Sequence, residues 1–185
     1  MILLILGIML WVGAHAFKRL APVKRAAMGD KGRGPIALAI LIGMALMVLG
    51  YRMAEFVPVY SPVSGIGHLN NVLMLAAFFC FGVGPSKGTL VHKLRHPMLT
   101  GVVIWGIAHL LVNGDMASVL LFGGLALWAI VQMLLINHGE GAWDRPSPGS
   151  RRGDLKNVII TLVIFTVVAG VHLLLGHNPF LGTYG

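Results

Sequence analysis

The stretch Met116-Ala-Ser-Val-Leu-Leu-Phe-Gly-Gly-Leu-Ala-Leu-Trp-Ala-Ile-Val-Gln-Met-Leu-Leu-Ile-Asn-His138 contains no Asp, Glu, Lys or Arg. As a helix rising 1.5 Å per residue it is long enough to cross a hydrocarbon layer, which needs about 20 apolar residues. It has no strong polar stripe, and a helix that is hydrophobic all round belongs in lipid in a chain this apolar. Five further apolar runs lie outward from it, separated by glycine, proline and charge. The six occupy roughly residues 2–17, 35–51, 68–83, 98–113, 116–138 and 157–175. Several fall short of 20 residues, so their ends must extend into flanks whose cationic heads snorkel. The expected fold class is therefore all-α, a polytopic membrane helix bundle of about six transmembrane helices forming one domain over 1–185.

Composition agrees. Of the 185 residues 57% are hydrophobic and 11% charged, and mean hydropathy is +0.85, whereas soluble domains carry roughly 25% charged residues. A soluble globular domain is excluded. Cys80 is the only cysteine, so neither an intramolecular disulfide nor a thiolate metal site is available, and any metal must use histidine.

The net charge of +8 would suggest nucleic acid in a soluble protein, but here it is topological. The first, third and fifth connections hold thirteen of the fourteen cations, from Lys18, Arg19, Lys24, Arg25, Lys31 and Arg33 through Lys87, Lys93 and Arg95 to Arg145, Arg151, Arg152 and Lys156. The second holds only Arg52, and the fourth, Asn113-Gly114-Asp115, holds none. Short loops rich in Lys and Arg stay cytoplasmic, so both termini are expected on the periplasmic side of a bacterial inner membrane. The lipid bilayer is the expected partner, with anionic headgroups near the basic loops and no nucleic acid; protein partners are not legible. Ala14-His15-Ala16 has the small-x-small form of a signal-peptidase site, but the cations follow the apolar run instead of preceding it, so a retained helix is expected. Asp115 is expected to cap the fifth helix, Ala39 and Gly43 have a spacing that lets helices approach closely, and Arg145 to Gly153 reads as a flexible loop.

Eight histidines outnumber the six acids, and that imbalance is the feature most suggestive of function. His92, His96 and His138 fall at the cytoplasmic ends of helices and His68 at an outer end. His15, His109 and His172 fall inside apolar sequence, where an ionisable residue is costly and marks a candidate site. Helix rise places His15 roughly 8 Å and His109 roughly 18 Å from the inner boundary, with His172 near the depth of His109. Two of the three share a pattern: Trp11-Val12-Gly13-Ala14-His15 and Trp105-Gly106-Ile107-Ala108-His109, both Trp-x-x-Ala-His. Trp105 shares a helix face with His109, Gly106 leaves that face open, and together they suit a flat hydrophobic small molecule. Two histidines from different helices, His109 with either His15 or His172, have the chemistry to ligate a haem iron from its two faces. Depth favours His109 with His172, and spacing does not decide the pair.

The segment Arg95-His96-Pro97-Met98-Leu99-Thr100-Gly101, followed by Trp105, Ala108-His109-Leu110-Leu111, Asn113-Gly114-Asp115 and Leu121-Phe122-Gly123, resembles the signature of the NnrU family. Those bacterial membrane proteins are named for an association with expression of nitrite and nitric-oxide reduction genes, and are similar to plant 15-cis-zeta-carotene isomerase, a membrane enzyme that uses haem b. The resemblance implies a role in denitrification or nitric-oxide response, or haem b binding with isomerase-like action on an apolar polyene. It implies His15 and His109 as the axial ligands. Arg95-His96-Pro97 with Gly101 is also similar to an element of isoprenylcysteine and phospholipid methyltransferases, with Glu140 standing where those enzymes have paired glutamates; methyl transfer is the third implied activity.

Overall fold

A computed structural model describes residues 1–180. The helices are α1 (Ile2–Leu20), α2 (Pro22–Ala27), α3 (Arg33–Arg52), α4 (Gly67–Ser86), α5 (Pro97–Val112), α6 (Met116–Ser118), α7 (Gly124–Glu140) and α8 (Arg151–Leu174). A π-helical turn, Val119–Gly123, joins α6 to α7, so Met116–Glu140 is one apolar rod. No β-strand forms among the described residues. The all-α bundle read from composition is the observed architecture. Five of its helices are long and apolar enough to cross a membrane. α5 is the exception at 16 residues, about 24 Å of rise against a core of about 30 Å. Its C-terminal end is covered by protein: the Tyr60 hydroxyl donates to the carbonyls of Leu110 and Asn113, which satisfies backbone groups that lipid cannot.

The expected boundaries hold to within a turn except at α8, which begins at Arg151 and not near residue 157. Ser150 accepts a hydrogen bond from the Gly153 N–H and caps the helix, and Asp154 accepts from the N–H and hydroxyl of Thr89, so a charged first turn is stable there. The loop expected to run to Gly153 is shortened accordingly. Asp115 accepts from the Ser118 N–H and caps α6, as expected.

Helices alternate in direction, α1 against α3, α4 against α5 and α8, and α5 against α7. All three cation-rich connections consequently lie at one end. The other end gathers the start of α1, the end of α3, the start of α4 and the ends of α5 and α8. At the basic end Glu140 pairs with Arg19 at 2.7 Å and lies 4.0 Å from Arg95. His96 bonds Asn137 at 2.8 Å and Arg95 donates to the Gly141 carbonyl. Glu140 and Asn137, at the end of α7, thereby hold α1 and α5.

The closest helix approach is between α1 and α3. Gly43 takes part, against Gly7 and Trp11, and Ala39 lies farther along α3 beside Gly13 and Ala14; a Cβ on Gly7 would lie 2.6 Å from Met47 N, and one on Gly50 would lie 2.2 Å from Leu4 N. Both obstacles are backbone, which cannot move aside as a flexible side chain would. Gly50→Val is therefore expected to cost at least about 1–3 kcal/mol and to lower the thermal midpoint of the detergent-solubilised protein by several degrees. Gly13→Ala, where a Cβ meets nothing within 4 Å, is expected to leave the midpoint unchanged; equal midpoints for both variants would show that this approach is not tight.

Candidate functional site: a cavity with two histidines

The ends of α3, α4, α5 and α8 opposite the basic loops enclose a partly open cavity of about 250 Å³. His109, on the last turn of α5, and His172, on the last turn of α8, both line it. Apolar walls come from Met74, Phe78, Phe122 and Phe165, and polar groups from Tyr51, Asn70, Asn71 and Asn113. Among the described residues no Asp, Glu, Lys or Arg lines it. The lining therefore offers an imidazolium no counter-ion.

Their tautomers follow from the backbone. His109 Nδ1 lies 2.9 Å from the Trp105 carbonyl and His172 Nδ1 lies 2.8 Å from the Val168 carbonyl. A carbonyl only accepts, so each Nδ1 carries the proton and each Nε2 keeps its lone pair. Among the described residues no hydrogen bond reaches either Nε2. Helical spacing provides this geometry automatically, since a histidine ring folds back onto the carbonyl four residues earlier.

The π turn aims Phe122 at the site. Its ring stacks on His109 at 4.4 Å with planes 22° apart, and meets Trp105 edge-on at 4.9 Å. Gly106 makes this possible: a Cβ there would lie 2.7 Å from the Phe122 carbonyl and 2.9 Å from the Ala126 Cβ. The expectation that Gly106 leaves an open face beside the imidazole is corrected, because α5 uses that face to approach the π turn and α7. Trp105 does flank His109, at 5.0 Å between ring centroids, but stands behind the cavity and does not line it.

His15 is placed elsewhere. Its Nδ1 lies 2.8 Å from the Trp11 carbonyl, repeating the local geometry of His109. Its ring, however, packs at 3.9 Å on Trp11 and 5.2 Å from Trp128, and it does not line the cavity. The contacts of His15 and His109 on the α6–α7 rod, Trp128 and Phe122, are six residues apart, about 9 Å along its axis. The structure thus brings His109 together with His172, as depth alone suggested, and leaves His15 in a separate aromatic cluster. Arg95, His96 and Glu140 tie helix ends, as described above, and line none of this cavity.

Sequence reasoning missed Asn70, Asn71 and His177, which also lines the cavity. An Asn-Asn pair opening an apolar helix was the available signal. His177 lies beyond the apolar runs and is brought back by the turn after α8, where its N–H bonds the His172 carbonyl at 2.8 Å. Among the described residues no three His, Cys, Asp or Glu side chains come together as a metal site.

No curated protein and no solved structure matches the chain. The family model described as NnrU protein matches residues 3–179, nearly all of the sequence in which the Arg-His-Pro and Trp-x-x-Ala-His elements occur, and the chain belongs to the NnrU family.

Proposed function

We propose that this membrane protein binds a hydrophobic small molecule in the outer cavity, with His109 and His172 presenting Nε2 to it, and that this binding serves the denitrification or nitric-oxide response for which the family is named. The observation that carries the reading is the pair of imidazoles, each with Nδ1 held by a carbonyl of its own helix, on one cavity in an otherwise apolar bundle. Placing two such groups in a membrane interior is costly without a return in function. The site is in the bacterial inner membrane on this reading, with both termini and the cavity on the periplasmic face, because the cations gather at the opposite end.

Haem b, the cofactor implied by the family resemblance, meets a donor pair of the right chemistry but not a cavity of the right size. Small-molecule sites occupy roughly 300–1,000 Å³, and a porphyrin belongs well inside that range, whereas the cavity measures about 250 Å³. It also lacks any cationic side chain to meet the propionates. The cavity does not enclose a whole haem, and the implied pair of His15 and His109 does not share it. The isomerase-like reading depends on an iron site and weakens with it.

Two measurements test this proposal. Alkaline phosphatase fused at the C-terminus is expected to be active, and a fluorescent protein that matures only in the cytoplasm is expected to be dark; the opposite pattern would reverse the topology. Solvent extracts of the purified protein, analysed by mass spectrometry, are expected to contain an apolar compound near one equivalent, lost in His109→Ala and His172→Ala and kept in His15→Ala. Absorption spectra of the same samples supply the counter-test. A Soret band abolished by His15→Ala and His109→Ala but kept in His172→Ala would overturn the proposal in favour of haem held by the first pair.

A further inference from the structure

We propose that a groove between α1 and α3, at the basic end of the bundle, is a binding site for one anionic phospholipid, with an acyl chain in the groove and the phosphate on Lys24 and Lys31. The site is separate from the two-histidine cavity, and neither reading depends on the other.

The groove lies beyond the tight part of the helix pair. α1 and α3 approach closely at Gly7, Gly43 and Gly50. Toward the basic end they leave an open apolar groove of about 320 Å³, walled by Met9, Gly13 and Phe17 on α1 and by Pro35, Ile36 and Ala39 on α3. A Cβ on Gly13 would meet nothing within 4 Å, so no neighbouring side chain occupies the space. From Met9 to Phe17 the helix rises about 12 Å, against about 15 Å for half of a hydrocarbon core. The groove is therefore about one leaflet deep, the depth through which a phospholipid chain runs.

The charge sits at its mouth. Residues 18–34 connect the two walls directly, and they carry Lys18, Arg19, Lys24, Arg25, Lys31 and Arg33 against one acid, Asp30. Arg19 pairs with Glu140 at 2.7 Å, Arg33 pairs with Asp30 at 3.0 Å, and Arg25 donates to the Gly29 carbonyl at 2.9 Å. Lys24 and Lys31 are exposed and have no ion pair among the described residues. Leu20 and Val23, close by in the chain, are 70% and 81% exposed, apolar surface that belongs at the boundary between headgroups and chains. Apolar wall and unpaired cations thus meet at headgroup level.

The apolar wall accepts any acyl chain, so selection falls to the headgroup. A zwitterionic headgroup brings its own ammonium to the lysines, whereas an anionic one brings only its phosphate. Two lysines at the membrane surface together favour the anionic lipid by about tenfold or more. A second copy of the chain docked on this face would set the same six cations against these, and like charges in apposition oppose that occupant.

The full-length protein, stripped of lipid in detergent, tests this by native mass spectrometry during titration with phosphatidylglycerol, with phosphatidylcholine of the same chains, and with soluble glycerol phosphate. Phosphatidylglycerol is expected to bind near one equivalent, about tenfold or more tightly than phosphatidylcholine, and glycerol phosphate is expected not to compete. Lys24→Gln combined with Lys31→Gln is expected to bring phosphatidylglycerol down to the affinity of phosphatidylcholine, with the lipid-free thermal midpoint unchanged because both side chains are exposed. Gly13→Leu, which fills the groove, is expected to weaken both lipids. Arg151→Gln combined with Arg152→Gln removes the same charge from another connection and is expected to change neither affinity. Equal affinities of the wild type for the two lipids would overturn the proposal. So would equal losses from the lysine and arginine pairs, which would mean diffuse surface charge, or full competition by glycerol phosphate, which would mean that the groove plays no part.

Discussion

Hydrocarbon offers no hydrogen-bond partner, so each polar atom of the bundle finds one within the protein or goes without. That constraint sets most of the geometry. Asn157, 2% exposed, donates to the Phe79 carbonyl and ties α8 to α4. Asp154 accepts twice from Thr89 and fixes the start of the same helix. Tyr60 closes the C-terminal end of the shortest apolar helix. His15, His109 and His172 all settle Nδ1 on the carbonyl four residues back, the one partner a helix always supplies. Where those devices run out a polar atom goes without, as Asn70 Oδ1 does, buried with no partner among the described residues.

The fold was legible because membrane insertion is a composition rule applied over long windows. Six runs without charge and a lopsided distribution of Lys and Arg specify helices and their alternation without reference to any contact. What composition does not see is a polar helix start. Ser150 to Asp154 reads as loop by hydropathy and as a capped first turn only when Thr89 is placed opposite, some sixty residues earlier in the chain. The site was legible in part and for a similar reason. Counting residues along a helix gives depth, and depth paired His109 with His172. The repeated Trp-x-x-Ala-His pattern pointed to His15 instead, because a local motif encodes how a ring sits on its own helix and not which neighbour it meets. Trp11 and Trp105 flank their histidines alike, yet one pair packs on Trp128 and the other on Phe122.

Gly106 has a structural role other than the one its place beside a histidine suggests. A glycine beside a histidine suggests space for a ligand, whereas here the space is taken by the Phe122 carbonyl and Ala126. The absence of a side chain sets the distance between two helices, and that distance lets the π turn deliver an aromatic ring onto the imidazole. Insertion of one residue into a helix commonly redirects side chains at functional sites, and the redirected residue here is the one stacked on His109.

The position of α8 at the margin of the bundle bears on how the molecule is made. It packs chiefly along α4, supplies His172, and is synthesised after every other helix lining the cavity. Until it docks, the pocket lacks one wall and one of its imidazoles. The cavity is thus a product of the last docking step, and its shape depends on how tightly α8 seats along α4.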